Sequence, residues 1–241
     1  MKAMIFAAGK GTRLQPLTNN TPKALIKFNG IPLLELVIKK LISSGVTEII
    51  INVHYLANQI LDFLKIKNNF GIRIEISDET EELLDTGGGL KKASWFFDDN
   101  KPFILYNVDV ISDINIEEMI SFHIKNKALV TLAVRLRTSS RYFLFNDKQE
   151  LSGWENVKTR ERIISRSSEN YTSMAFSGIH IINPSIFAAL MQESEFSIVK
   201  NYLELSKNNL IKAYVHNDNY WFDIGDKEKL SIAEKFLNKK S

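Results

Sequence analysis

The chain has 241 residues, of which 44% are hydrophobic and 24% are charged, values that are typical of a globular protein and exclude a disordered tail or a collagen-like repeat. It contains no cysteine, which excludes disulfides, thiolate metal sites and a cysteine nucleophile and permits a reducing compartment. The 31 basic and 28 acidic residues give a net charge of +3, which is too balanced to predict a nucleic-acid partner.

The apolar stretch at the start of the chain is too short for the core of a signal peptide. No other stretch approaches the roughly 20 apolar residues that a membrane helix requires. We therefore expect no membrane partner and a cytoplasmic location.

Up to about residue 135 the chain alternates apolar runs of strand length with segments of helical period. The runs that predict strands are residues 3–8, 48–53, 72–76, 103–107 and 129–134. The segments that predict helices are residues 33–44, 55–64, 88–95 and 116–125. This alternation indicates βαβ units and therefore an α/β fold with a mostly parallel sheet flanked by helices.

After residue 135 the pattern becomes strand-rich. Residues 142–145 and 152–155 predict antiparallel strands, and residues 175–182 predict a central strand. The polar run 158–172 has no apolar period and is interpreted as a loop. Helices are expected at residues 184–190, 197–206 and 227–237. Since no linker or repeat interrupts the chain, we expect one domain over residues 1–241, with no appended domain.

A glycine-containing loop, Gly9–Arg13, follows the first predicted strand, at the place where an α/β protein binds phosphate. The dinucleotide-binding fingerprint needs a third glycine where this chain has Leu14, and a P-loop needs four residues between its glycines. Neither motif fits. The loop still offers backbone N–H groups beside glycines, the Thr12 hydroxyl and the Arg13 guanidinium to an anion.

A second cation, Lys23, follows Pro22 a few residues further along. An arginine and a lysine together suit a triphosphate, because they spread positive charge over several oxygens. The alternative interpretation is that the loop is only a tight turn and that Arg13 is an ordinary surface residue.

The stretch from Gly9 to Leu25, G-x-G-T-R-x-x-P-L-T-x-x-x-P-K-x-L, resembles the signature of the sugar-phosphate nucleotidyltransferase family. The resemblance extends to L-D-T-G-G-G at 84–89, N-V-D at 107–109 and W-F-D-I-G at 221–225. It implies the nucleotide-diphospho-sugar transferase fold, with a Rossmann-like, mixed and mostly parallel sheet and a small strand-rich sugar-binding lobe. The nucleotide-binding half would be residues 1–135 and the sugar-binding half residues 136–241.

The resemblance implies attack by a sugar-1-phosphate oxygen on the α-phosphorus of a nucleoside triphosphate, with release of pyrophosphate. Arg13, Lys23 and Asp109 would be catalytic, with Arg13 on the leaving pyrophosphate and Lys23 between the phosphates of the two substrates. Asp109 and Asp223 would bind Mg²⁺, which favours carboxylate and phosphate oxygens. From the sequence alone, each aspartate can equally be a turn former or a helix N-cap.

The family's nucleotide contacts fall on two segments of this chain. Together with Arg13 they are Ala7, Ala8, Gly9, Gly11, Thr12, Asp85, Thr86, Gly87 and Gly88. Glycines suit such contacts because a base can lie against bare backbone. The second segment also precedes a predicted helix, so a helix N-terminus explains its glycines as well.

For the sugar phosphate, the resemblance assigns Lys23, Asn107 and Gly178. The nearby His180 is interpreted as a half-buried strand histidine. Two departures from the family pattern affect this side of the site. The Glu-Lys-Pro of many relatives is missing, and either the loop cations Lys158, Arg160 and Arg162 replace its charge or that loop is simply solvated. Val108 stands where a glycine is usual and is expected to point away from Asp109 on the strand pleat.

The Asp-Thr-Gly-Gly-Gly string is most similar to that of enzymes that make UDP-N-acetylmuramic acid in cell-wall recycling. UTP and N-acetylmuramate 1-phosphate are therefore the substrates expected first, with GTP and mannose or heptose 1-phosphate as the alternative. Two other hypotheses stay open: a cytidylyltransferase for phosphocholine, with Trp154 and Tyr171 as candidates for an aromatic box, and a regulatory subunit that binds nucleotide-sugar without turnover. The oligomeric state is not predicted.

Overall fold

The structure, a computed structural model, describes residues 1–239. The chain has a mixed α/β fold, as predicted, and forms two compact units that are each discontinuous in sequence. The first unit contains Met1–Leu83, Tyr106–Asp113 and the segment from Tyr220 onwards, and the second contains Leu84–Leu105 and Ile114–Asn219. The single domain and its two halves stay predictions, and the last two residues of the predicted range lie outside the described residues.

The α-helices are α1 (Leu33–Ser43), α2 (Ala57–Ile66), α3 (Asp85–Lys92), α4 (Ile116–Asn126), α5 (Ile198–Leu205) and α6 (Lys227–Asn238). Short 3₁₀-helices occupy Thr12–Leu14, Lys23–Leu25, Asn68–Gly71, Ser94–Phe96 and Pro184–Ala189. The strands are β1 (Lys2–Phe6), β2 (Lys27–Phe28), β3 (Ile31–Pro32), β4 (Glu48–Val53), β5 (Arg73–Asp78), β6 (Phe103–Asn107), β7 (Val110–Ser112), β8 (Val130–Arg135), β9 (Arg141–Phe145), β10 (Leu151–Asn156), β11 (Glu161–Ile164), β12 (Thr172–Ile182), β13 (Ile211–Val215) and β14 (Trp221–Asp223). Within residues 1–239, no helix has the length and apolar character needed to cross a membrane.

Parallel strands form the centre of the first unit. Strand β4 pairs with β1 on one side and with β5 on the other, and both pairings are parallel. The middle of β4, Ile49–Ile51, is fully buried, as expected for a strand that is covered on both faces. Helix α1 buries Leu34, Val37, Ile38 and Leu41, which recur at helical spacing. The predicted βαβ arrangement is confirmed.

The first unit also contains a small antiparallel pair, β7 with β14, in which Val110 lies opposite Asp223. Neither strand was predicted from the sequence. Each has only three residues, which is too short to show an alternating pattern. This pair nevertheless joins the segment after Asp109 to the segment that contains Asp223.

The second unit contains most of the strands that follow residue 135, where a strand-rich pattern was predicted. Strand β12 pairs antiparallel with β8 and β9, β9 pairs with β10, and β8 pairs in parallel with β13. The register of β12 against β8 shifts between Phe176 and His180, where Gly178 has a φ of 76°. A positive φ and a register shift at one glycine are typical of a β-bulge.

Three local predictions were wrong. The predicted loop 158–172 contains strand β11, which pairs with β10; all four of its residues are exposed, so no apolar alternation marks it. The predicted helix 184–190 is a 3₁₀-helix, Pro184–Ala189. The helix predicted from residue 88 begins earlier, at Asp85, and includes the glycines, which have poor intrinsic helix propensity.

Candidate active site

The loop after β1 is anchored by a buried hydrogen-bond chain. The Ala7 N–H donates to Asn52 Oδ1 at 2.7 Å, and Asn52 Nδ2 donates to Glu79 Oε1 at 2.8 Å. Ala7 and Ala8 are buried, whereas Gly9 is exposed. The Ala7 N–H is therefore engaged within the protein. Sequence reasoning missed Asn52 and Glu79, although an asparagine within the apolar run of β4 was a detectable signal.

Gly11 is the point where this loop approaches Lys23. Its φ is +64°, and a Cβ at this position would lie 3.0 Å from both Lys23 Cβ and Thr18 Cγ2. The Thr18 hydroxyl donates a hydrogen bond to the Gly11 carbonyl oxygen at 2.9 Å, which stabilises the loop between these two residues. Only glycine fits both the backbone conformation and the close contact. The two predicted phosphate-binding elements, the glycine loop and Lys23, therefore lie side by side.

Lys23 and Asp109 form a hydrogen-bonded ion pair. Their side chains are only 12% and 19% exposed, so water screens the pair weakly. Asp109 lies in the turn between β6 and β7, and the Val108 N–H donates to the Phe6 carbonyl oxygen at 3.2 Å, which holds this turn beside the end of β1. Val108 is buried and Asp109 is partly exposed, but both lie in the turn, so their different exposure does not come from a strand pleat as predicted.

Asp223 is connected to the Asp109 turn through the backbone. The Ile224 N–H donates to the Asp109 carbonyl oxygen at 2.8 Å. The Asp223 carboxylate accepts a hydrogen bond from Lys229 Nζ at 3.0 Å. The N-cap of α6 is Asp226, whose side chain accepts from the Lys229 N–H, so the alternative role of Asp223 as an N-cap is excluded.

Arg13 lies against the same segment. A Cβ built on Gly225 would be 3.2 Å from Arg13 Nη2 and 3.0 Å from Asp223 Oδ1. The first unit therefore assembles one arginine, the Lys23–Asp109 pair and Asp223 around the glycine loop. Arg13, Lys23, Asp109 and Asp223 are far apart in sequence and lie in one charged cluster. Their catalytic and metal-binding roles stay predictions.

Asp109 and Asp223 are the carboxylates at this site that could bind Mg²⁺. Across residues 1–239, no group of three or more histidine, cysteine, aspartate or glutamate side chains could hold a metal. Mg²⁺ needs only one or two carboxylates when substrate phosphates and water complete its coordination. Asp109 and Asp223 therefore fit a Mg²⁺ ion that arrives with a phosphate group, and each carboxylate has a lysine partner in the protein alone.

The second predicted nucleotide-binding segment, Asp85–Gly88, begins helix α3 in the second unit. Asp85 has a φ of 54°, and its carboxylate accepts a hydrogen bond from the Thr86 N–H. The Phe196 carbonyl oxygen accepts from the N–H groups of Gly87 and Gly88, at 2.8 and 3.3 Å. Two of the first N–H groups of this helix are therefore satisfied by a segment that is distant in sequence, and a third by the adjacent Asp85.

The same segment explains why residues 87 and 88 are glycines. A Cβ on Gly87 would lie 2.2 Å from Phe196 Cε2, and a Cβ on Gly88 would lie 2.0 Å from the Ser194 carbonyl oxygen. Neither space can hold a methyl group. The structural interpretation of these glycines therefore accounts for both positions, and their contact with a base stays a prediction.

Among the predicted sugar-side residues, Asn107 ends β6 in the first unit, whereas Gly178 lies at the β12 bulge in the second. His180 is 1% exposed, and its Nδ1 is 2.7 Å from the Tyr202 hydroxyl. Burial lowers the pKa of His180 to about 3. It is a neutral core residue, more deeply buried than the half-buried histidine that the sequence predicted.

The candidate cations between residues 158 and 172 lie on or beside β11. Lys158 and Arg160 are exposed. The Arg162 Nε is 3.8 Å from Glu155 Oε2, and its guanidinium lies 5.5 Å from the centre of the Tyr171 ring.

Trp154 lies opposite Ile163 in the β10–β11 pairing, next to the Glu155–Arg162 pair. Successive residues of a strand face opposite sides, so Trp154 is on the other face from Arg162 and its Tyr171 contact. Trp154 and Tyr171 therefore do not converge into an aromatic box for a quaternary ammonium.

The chain belongs to the nucleotidyl transferase family, since a model of that family matches residues 2–240. Mannose-1-phosphate guanyltransferase from Yarrowia lipolytica is 32% identical over 229 residues, which are 93% of this chain and 61% of that protein. The probable mannose-1-phosphate guanylyltransferase 1 of Oryza sativa subsp. japonica is 31% identical with the same coverage. The chain thus spans 61% of the length of these relatives.

Among solved structures, HddC from Yersinia pseudotuberculosis in complex with GMP-PN has a TM-score of 0.75 and 21% identity, covering 98% of this chain and 99% of that one. A putative glucose-1-phosphate thymidylyltransferase from Bacillus anthracis has a TM-score of 0.81 and 19% identity, with coverages of 98% and 94%. These similarities confirm the predicted nucleotide-diphospho-sugar transferase fold.

Proposed function

We propose that this protein transfers a nucleotidyl group from a nucleoside triphosphate to a sugar 1-phosphate and releases pyrophosphate. The observation that carries this proposal is the poorly exposed Lys23–Asp109 pair, which lies against the glycine loop that also positions Arg13. Membership of the nucleotidyl transferase family supports the same reaction class.

The reaction requires few functional groups from the protein. An oxygen of the sugar phosphate attacks the α-phosphorus, and the bond from that phosphorus to the pyrophosphate oxygen breaks. No protein nucleophile is needed, because the attacking phosphate already carries negative charge. The protein contributes position and charge: the exposed Arg13 guanidinium binds the phosphates that leave, and Lys23 binds the phosphates that react.

Mg²⁺, when bound with a phosphate group, would polarise the reacting phosphate as a Lewis acid, and Asp109 and Asp223 are the residues that would hold it. Lys23 and Lys229 balance the charge of these two carboxylates in the protein alone. Lys23 can therefore exchange its carboxylate partner for a substrate phosphate without leaving the site.

For the substrates we propose GTP and mannose 1-phosphate. Two relatives that are 31–32% identical over 93% of this chain carry the name of a mannose-1-phosphate guanylyltransferase, which supports this pair. UTP and N-acetylmuramate 1-phosphate, expected first from the Asp-Thr-Gly-Gly-Gly string, have no such support. A five-residue string of mostly small residues is weak evidence for a base, since Gly87 and Gly88 are also required by packing. A cytoplasmic location and a role in cell-wall synthesis stay predictions.

The test is an assay of pyrophosphate release by the full chain with Mg²⁺. Each of GTP, UTP, CTP and dTTP is combined with mannose, glucose and N-acetylmuramate 1-phosphates, and the nucleotide-sugar product is identified by chromatography. We expect the highest kcat/KM with GTP and mannose 1-phosphate. A higher value with another pair would refute the substrate assignment, and nucleotide-sugar binding without any pyrophosphate release would favour the regulatory-subunit hypothesis.

A further inference from the structure

A cavity of about 180 Å³ lies wholly within the first unit, next to the turn that carries Asp109. Its walls are mostly apolar and include Phe28, Leu36, Val110 and Leu237. Four side chains with hydrogen-bonding capacity also line it, namely Lys40, Tyr106, Ser112 and Tyr220. The glycine loop, Lys23 and Asp223 are not among the lining residues, so the cavity is distinct from the candidate active site.

Tyr106 gives the first indication that the cavity binds a ligand. Its side chain is 1% exposed and lines the cavity. Burial, with smaller contributions from the neighbouring Tyr220 and Asp109, raises the pKa of this hydroxyl well above its usual value, so it remains a neutral donor. A ligand oxygen in the cavity would accept a hydrogen bond from this hydroxyl.

Lys40 gives the second indication. Burial lowers the pKa of its ammonium group, whereas the charge of Asp113 raises it, so the group is a partly desolvated cation. The hydroxyl of Ser112, another lining residue, already donates to the Tyr220 carbonyl oxygen at 2.9 Å. The Lys40 ammonium and the hydroxyls of Tyr106 and Tyr220 are therefore the donors that line this cavity, and such donors favour an oxyanion.

The size and the walls of the cavity limit the rest of the ligand. An apolar protein cavity of about 150 Å³ is large enough to hold benzene. A volume of about 180 Å³ is therefore sufficient for one six-membered ring with a small substituent. We propose that this cavity binds a small monocarboxylate with an apolar body, with its carboxylate on Lys40 and Tyr106 and its apolar body against Leu36 and Val110.

The test uses sodium benzoate as the probe and the full chain labelled with ¹⁵N, without nucleotide or sugar phosphate. We expect saturable shifts of the backbone amide signals of Val110 and Ser112, with smaller shifts for residues remote from the cavity. Benzamide, which has the same ring and no charge, should bind about tenfold more weakly, because it cannot form the charge-assisted hydrogen bonds.

Two variants test the assigned donors. Lys40→Met removes the ammonium but keeps the length of the side chain, and Tyr106→Phe removes only the hydroxyl. Each should weaken benzoate binding by about tenfold or more. Lys39→Met, on the neighbouring and exposed position of the same helix, should bind as the unmodified chain does. The amide spectrum of each variant shows directly whether it is folded.

Three results would overturn the proposal. The first is no saturable benzoate binding at millimolar concentration, as expected if the cavity holds only water. The others are equal affinity for benzoate and benzamide, and unchanged benzoate affinity in both Lys40→Met and Tyr106→Phe. These outcomes are independent of the proposed transferase activity. A chain that binds benzoate but releases no pyrophosphate would refute that activity and leave this inference in place.

Discussion

At the scale of single residues, the Lys23–Asp109 pair has two separable roles. Each side chain neutralises the other in a poorly exposed position. In the proposed reaction Lys23 also binds the substrates' phosphates, and Asp109 would help to hold Mg²⁺. Removal of one partner leaves a poorly solvated charge, whereas removal of both does not. Stability and turnover should therefore respond differently to single and double substitutions.

We predict that Lys23→Met and Asp109→Asn each lower kcat by about 10²–10³-fold, the loss typical of removing one preorganised charge-stabilising group. Each should also lower the free energy of unfolding, by about 1–3 kcal/mol, because the remaining charge is unpaired. The double variant should recover most of the stability and none of the turnover. Urea unfolding and the pyrophosphate assay measure the two quantities, with Lys27→Met as the exposed control. Recovery of turnover in the double variant would show that the pair acts only in folding.

Gly9 provides a second residue-scale prediction, because the protein itself leaves room for a side chain there. A Cβ on Gly9 would have no atom within 4 Å. Gly9→Ala should therefore change the free energy of unfolding by no more than about 1 kcal/mol. If a nucleotide lies against this backbone, the added methyl group should raise the KM for the triphosphate several-fold. An unchanged KM would exclude Gly9 from the nucleotide site.

At the scale of elements, helix α3 and the segment around Phe196 form one packed unit. Phe196 accepts hydrogen bonds from two N–H groups at the start of the helix, and Lys91 Nζ donates to the carbonyl oxygens of Met191 and Gln192 at 3.0 and 2.8 Å. The glycines of α3 allow this approach. Their low helix propensity is thus compensated by contacts with a segment about 100 residues away in sequence.

Gly88→Ala tests this packing directly. The added methyl group would lie 2.0 Å from the Ser194 carbonyl oxygen, so either the helix or the segment must move. We expect a loss of about 1–3 kcal/mol in the free energy of unfolding, the usual cost of overpacking, and a shift of roughly 2–4 °C in Tm for each kcal/mol. Differential scanning calorimetry measures both values. Gly9→Ala adds the same methyl group without a clash, and equal Tm values for the two variants would contradict the packing argument.

Element prediction from the sequence depended on burial of one face. Helix α1 and strand β4 have regular apolar patterns, and their predicted bounds lie within one residue of the observed ones. All four residues of strand β11 are exposed, so its strand conformation depends on pairing with β10. No alternating apolar pattern in the sequence therefore predicts it. The short strands β7 and β14 likewise form because they meet each other.

At the scale of the whole molecule, buried histidines link stability to pH. Burial lowers the pKa of His123 to about 4 and that of His180 to about 3. Their Nδ1 atoms lie 2.9 Å from the Thr131 hydroxyl oxygen and 2.7 Å from the Tyr202 hydroxyl oxygen, respectively. In the unfolded chain a histidine has a pKa of about 6.5, so between these values the unfolded chain binds protons that the folded chain does not.

Stability should therefore fall as the pH is lowered below about 6.5, by up to about 1.4 kcal/mol per pH unit for each of the two histidines. Urea unfolding between pH 7 and 5, where most carboxyl groups stay ionised, measures this slope. His123→Gln and His180→Gln should each reduce the slope, whatever their effect on stability at pH 7. A slope that is unchanged in the double variant would refute the linkage.

The fold class, the family and the residue types of the candidate site can be read from the amino-acid sequence, because they depend on apolar periodicity and on a short, regularly spaced motif. Which of those residues lie together depends on the tertiary structure. Gly11 packs against Lys23, Lys23 pairs with Asp109, and Arg13 lies against Gly225. Each of these contacts joins residues that are separated in the sequence. The tertiary structure also shows that Gly87 and Gly88 are required for packing and that Lys40 and Tyr106 share a cavity. Such contacts depend on chain reversal and close packing, which local sequence patterns do not encode.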